Sequence, residues 1–133
     1  MGQPAARQGD PVTGVDVHVV LVPAPPAPPV PTPLPHPFSG TLAQSLSTDV
    51  FIDGLPAATV GSIAVNQAAH LPTPPGTSFV NPPTNQGPVQ QGSVTVTIDG
   101  KPAARMGDPV TTCFDVPGPP SSIVAGSPTV MIG

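Results

Sequence analysis

Three histidines, His18, His36 and His70, and one cysteine, Cys113, are the side chains of this sequence best suited to chemistry. Imidazole nitrogen and thiolate sulfur are donors that zinc accepts, and three of one with one of the other close a tetrahedron, leaving no position for water. Their spacing is informative because the chain repeats itself. His18 falls nine residues after Gly9, His70 nine after Gly61 and Cys113 six after Gly107, and each glycine closes a copy of Pro-Ala-Ala-x-x-Gly. Equivalent positions in symmetric units converge near the axis, so His18 and His70 should approach one another with Cys113 in reach. His36, which follows a proline-rich stretch, is placed least well by spacing. Three surface histidines and a small buried thiol form the plainer alternative, and spacing leaves both open. A closed site would be structural and would contribute on the order of 10 kcal/mol to folding.

Catalysis has no comparable set of residues. There is no nucleophile elbow, no phosphate-cradling glycine loop and no carboxylate pair, and the seven aspartates mostly sit beside Gly or Pro in turns. Cys113 with a histidine is the one nucleophile and base available. Arg7 and Arg105 occupy matching slots, each followed two residues later by Gly-Asp, which reads as a repeated local ion pair. Thr59 and Ser62 replace both charges in the second copy, arguing against arginine chemistry common to all units. The expectation is a protein that is not an enzyme.

The elements that must position these residues come from the repeat, which dictates architecture. Its copies begin at Pro4-Ala5-Ala6-Arg7, Pro56-Ala57-Ala58-Thr59 and Pro102-Ala103-Ala104-Arg105 and close at Gly9, Gly61 and Gly107. Strand-like segments precede the second and third copies, at residues 47–54 and 93–100. The strand missing from the first copy lies at the other end, residues 127–133. Read as a circle, the chain is one domain, 1–133, with three frames of about 4–46, 47–92 and 93–133, the last closed where the N-terminus meets the C-terminus. Val50 and Ile52, Val96 and Ile98, and Val130 and Ile132 stand two apart, the period of a strand with one buried face. Asp53-Gly54 and Asp99-Gly100 are turn signals. Residues 15–22 read as a further strand and 63–70 more weakly so. Residues 23–37 and 72–88 read as proline-rich loops, the first resembling a linker or SH3 ligand up to Pro33 and anchored by His36 and Phe38 beyond it.

Composition agrees with an all-β, pseudo-threefold prism or cone with little or no helix. In 133 residues there are 24 prolines, 14 glycines and neither Trp nor Tyr, and proline removes backbone donors and fixes φ. So thin a core usually needs a metal or a partner as a staple, and one cysteine excludes an internal disulfide. A net charge of -4 with three basic residues offers no footprint for nucleic acid or anionic lipid. The longest apolar run is too short to span a bilayer. No signal peptide or myristoylation signal opens the chain, which points to synthesis in the cytoplasm and export by other means.

The Pro-Ala-Ala-Arg phrase, twice literal and once relaxed to Pro56-Ala57-Ala58-Thr59, together with the Ser-x-x-Val-x-Ile strands, resembles the PAAR-repeat proteins of contractile injection machines. The resemblance implies a cone whose base sits on the blunt end of a trimeric, β-helical VgrG-type spike, one copy per trimer. It also implies an apex zinc, one per chain, held by His18, His36, His70 and Cys113. The base strands would be those of Val50, Ile52, Val96, Ile98, Val130 and Ile132. Implied with it are a mechanical role in piercing a target envelope and delivery outside the cell in a type VI secretion or phage-like injector. The chain reads as a bare tip without fused domains. The competing expectation is an adaptor that docks effector cargo through residues 23–37.

Overall fold

Two Asp-Gly pairs shape one end of the molecule, whose computed structural model describes residues 2–133. Asp53 and Gly54 have φ of 52° and 80°, and Asp99 and Gly100 have 54° and 78°. Two successive left-handed residues match the twist of a tight hairpin. In chain order the strands are β1 Gln3–Pro4, β2 Pro11–Ala24, β3 Ala27–Gln44, β4 Phe51–Ile52, β5 Leu55–Pro56, β6 Ile63–Asn66 and β7 Ser78–Phe79. They continue with β8 Gln86–Pro88, β9 Thr97–Ile98, β10 Lys101–Pro102, β11 Pro109–Val110, β12 Ser121–Ile123 and β13 Met131–Ile132. No helix occurs among the described residues.

The two turns join β4 to β5 and β9 to β10. A third pair has the same form without a turn, because β1 pairs antiparallel with β13, Gln3 against Ile132 and Pro4 against Met131. The three pairs surround one axis. The Ala6 N–H donates to Ala104 O, Ala104 to Ala58 O and Ala58 to Ala6 O, each at 3.0 Å, a closed cycle. A second cycle runs outside it, from Gln8 N–H to Pro56 O, Val60 to Pro102 O and Met106 to Pro4 O at 2.8–2.9 Å. Proline opens each copy where no donor is required, and its carbonyl accepts from the next unit. The two alanines divide the interior: Ala5, Ala57 and Ala103 pack with Ile52, Ile98 and Ile132 at the base, while Ala6, Ala58 and Ala104 join the larger core.

The charged turns share a role that survives loss of charge. Arg7 N–H donates to Asp10 Oδ2 and Arg105 N–H to Asp108 Oδ2, each at 2.7 Å, and Thr59 N–H donates to Ser62 Oγ at 2.9 Å. The repeated requirement is an acceptor three residues on. The guanidinium pairing is an addition to it.

Above the base stands a seven-stranded sheet dominated by the β2–β3 hairpin, which turns at Pro25-Pro26. This corrects the reading of residues 23–37 as a loop, for all but the turn lies in strand. Prolines 29, 31, 33, 35 and 37 occupy every second position of β3 and are all exposed, whereas His36 and Phe38 face inward. Alternate residues of an edge strand turn their N–H away from the partner, so proline at those places costs no ladder bond. The prolines end at Pro37, before β6 pairs along the other side of β3 from Gly40. Residues 72–88 are mostly irregular, interrupted by β7, which pairs with β2, and β8, which pairs with β6. The main core lies between, around Phe38, Leu42, Val12, Val110 and Ile123.

Candidate metal centre

Even-numbered residues of β2 face inward, which sets Asp16 and His18 side by side, both fully buried. Asp16 lies opposite His36 in the β2–β3 register. His70 arrives from the irregular segment after β6 and is tied there by its N–H, which donates to Asn85 Oδ1 at 2.8 Å. Cys113 follows β11 and is half-buried. Four elements distant in sequence thus meet about midway along the β2–β3 hairpin.

The three imidazoles form one cluster, with ring centroids 5.2 Å apart for His18 and His36, 5.1 Å for His18 and His70, and 5.7 Å for His36 and His70. Phe79 packs on His18 and His36 at 5.6 and 5.3 Å, and Phe38 lies 6.3 Å from His70. The donor atoms divide differently from the rings. Asp16, His18, His70 and Cys113 each bring one ligand atom, all within 4.8 Å of one another. Asp16 Oδ2 lies 3.2 Å from His70 Nε2 and 3.3 Å from Cys113 Sγ, and Cys113 Sγ lies 3.6 Å from His18 Nε2. His36 spends both nitrogens on backbone: Nδ1 on Leu34 O at 2.8 Å, and Nε2 accepting from Thr73 N–H at 3.1 Å. Asp16, absent from the sequence-derived set, was signalled by the strand period, two residues before His18 on the same face.

Electrostatics describe a site built for more than packing. Burial, and then the Asp16 carboxylate, push the Cys113 thiol up to about 11. Burial lowers His36, offset in part by its bond to Leu34 O. Thr112 Oγ1 donates to Asp16 Oδ1 in a short bond and also contacts Ser121 Oγ at 3.1 Å. His18 Nδ1 is fully buried without a hydrogen-bond partner, 3.5 Å from Asp115 Oδ1. Asp115 is itself fixed, since its Oδ2 accepts the Val19 N–H at 3.1 Å.

An oxygen, two nitrogens and a sulfur converging in a largely buried cluster are a donor set for a tetrahedral divalent metal of the zinc type. A bound ion would supply charge compensation and a cross-link among β2, the segment after β6 and the segment after β11. No curated protein matches the chain. A family model described as the PAAR motif matches residues 81–133, a span that includes β9–β10, the third Pro-Ala-Ala copy and β13. Residues 81–133 of this chain thus carry a PAAR motif, and the all-β architecture and the cyclic alanine ring extend the likeness to PAAR-repeat proteins over the other two copies.

Proposed function

We propose that this protein caps the blunt end of a VgrG-type trimeric spike, one chain per trimer, and forms the point of a contractile injection machine. The PAAR family is a structural family associated with spike tips, and the role is mechanical, without turnover. The observation that carries the proposal is the base. Three equivalent strand pairs surround one axis there, with Ile52, Ile98 and Ile132 beneath them and Phe51, Leu55, Val96 and Met131 exposed around them. A monomer seldom leaves so many apolar side chains together on one surface unless something covers them. A three-chain β-helix ends in three strand edges and an apolar section of the same symmetry, a liability that such a base relieves.

The opposite end suits a point. The β2–β3 hairpin narrows to a turn at Pro25-Pro26, the histidine–cysteine cluster draws three segments together midway along it, and proline rings cover its outer face. No helix among the described residues is long and apolar enough to cross a membrane. Made in the cytoplasm, the tip travels out on the spike it caps.

Co-purification with the cognate spike trimer tests the proposal. One chain per three spike subunits is expected, lost in the doubly substituted Phe51→Asp, Met131→Asp protein while its thermal unfolding persists. Binding that ignores both charges, or one chain per spike subunit, refutes it. Replacing residues 23–33 with a short turn separates the adaptor alternative, for a tip still caps the spike whereas an adaptor caps it and loses its effector cargo.

A further inference from the structure

The three strand pairs of the base share one backbone form but differ in side chains, and the junction between the second and third units is recessed. A hollow of about 670 Å³ opens there beside β9–β10, with Val60, Gly92, Val94, Thr97 and Pro102 in its lining. We propose that this hollow seats one apolar side chain from the rim of the spike, so that one of three identical spike subunits is held differently from the other two. The proposal rests on the reading of the protein as a spike cap and adds to it a specific point of attachment.

The repeat explains why the hollow is where it is. Thr97 holds the place that Phe51 fills in β4 and Met131 in β13, each of which is 57% exposed. Val60, whose N–H donates to Pro102 O, holds the place of Gln8 and Met106 in the outer hydrogen-bond cycle. Val94 stands where the other units have Thr48 and Pro128, and it is 96% exposed. At two junctions, then, a large apolar side chain of the tip stands exposed at the base. At the third, a small residue leaves a gap lined by two valines.

The walls of the hollow are fixed before any partner arrives. Ser93 is buried, its N–H donates to Ala103 O at 2.8 Å, and its Oγ accepts the N–H groups of Thr95 and Val96 at 3.1 and 2.9 Å. A Cβ on Gly92 would come within 2.6 Å of Ala103 O, so no side chain at that position fills the space without displacing backbone. The occupant must come from outside. Among the described residues no charged side chain lines the hollow, which suits an apolar group. The hollow is also continuous with the base, because Thr97 and Pro102 belong to β9 and β10 themselves. A partner that covers the base therefore covers the hollow. A threefold spike offers the same side chain at three positions; it lies against Phe51 and Met131 at two of them and enters the hollow at the third. Burial of one such side chain corresponds to about 10- to 100-fold in affinity.

The test is the affinity of the purified chain and its variants for the cognate spike trimer, measured by biolayer interferometry on immobilised trimer, with melting temperature as the check on folding. Thr97→Phe fills the hollow with the ring that β4 carries at the same place, and it should weaken binding about tenfold or more. Val94→Asp, at a side chain too exposed to disturb folding, should weaken it to a similar degree and serves if Thr97→Phe fails to fold. Thr48→Asp, at the corresponding place between the first and second units, should stay within about threefold of wild type. A folded Thr97→Phe or Val94→Asp protein that binds as tightly as wild type, or a Thr48→Asp protein that loses as much as Val94→Asp, overturns the hollow as the point of attachment. In that event, loss of binding in the Phe51→Asp, Met131→Asp protein leaves the cap itself standing. A wild type that does not bind the trimer overturns both.

Discussion

Replacing Ala58 by valine probes the ring on which the architecture turns. Valine adds two carbons, and if space existed their burial would contribute about 1.5 kcal/mol. Space does not exist: Ala6, Ala58 and Ala104 are each 0% exposed, and their backbones are locked in mutual hydrogen bonds of 3.0 Å. The added methyls must push the ring apart or take a poor rotamer, which costs about 1–3 kcal/mol. For a domain of this size, that corresponds to a fall in melting temperature of roughly 5–10 °C. Urea unfolding of Ala58→Val, Ala6→Val and Ala104→Val provides the assay, with exposed Ala43→Val in β3 as a control expected within about 0.5 kcal/mol of wild type. Equivalence around the axis requires the three ring variants to agree within about 0.5 kcal/mol. A ring variant as stable as wild type, or three costs that diverge widely, would show that the ring is neither tight nor symmetric.

Asp108→Ala should destabilise by about 1–2 kcal/mol, because it strands the Arg105 N–H, whereas Arg105→Ala should cost less than about 1 kcal/mol; denaturant midpoints in the reverse order would contradict the acceptor role. Asp53 is held below its ordinary value of 3.8 by bonds from Ser127 and Thr129 and by Arg7. Its stabilising effect is therefore complete above that value and is lost as pH falls through the lowered one, so Asp53→Asn should flatten the acid limb of melting temperature against pH below about 4. An identical acid limb would remove Asp53 from the account. Returning donors to the β3 edge with Pro31→Thr, Pro33→Thr and Pro35→Thr should raise self-association in sedimentation velocity; a triple variant that associates no more than wild type would deny the prolines that role.

Much of the fold was legible because repetition is a strong signal. The split third unit, the Asp-Gly turns and the buried Ile52, Ile98 and Ile132 all follow from aligning the chain with itself. The proline-rich hairpin was not legible as strand, since proline's propensity argues against sheet. What overrides it is position, with each proline placed at a residue whose donor the ladder does not need. Of the site, His18, His70 and Cys113 could be read from their places in the repeat, and the structure brings them together. Asp16 was visible only by extending the two-residue period of β2 back from His18. The commitment of His36 to Leu34 and Thr73 depends on how residues 72–73 cross the β3 edge, which no local pattern encodes.

Closing the base between β1 and β13 also sets an order in time. During synthesis the β4–β5 hairpin leaves the ribosome with Ile52 ready for burial, yet the strand carrying Ile132 emerges about 80 residues later, roughly 4–16 s at ordinary elongation rates. Through that interval the alanine ring cannot close, since Ala104 is also late. The apolar underside is complete only once β13 has been made, so a chain stalled before it carries an open, sticky base. Quality control acting on nascent chains therefore has a clear mark to read until β13 docks against β1.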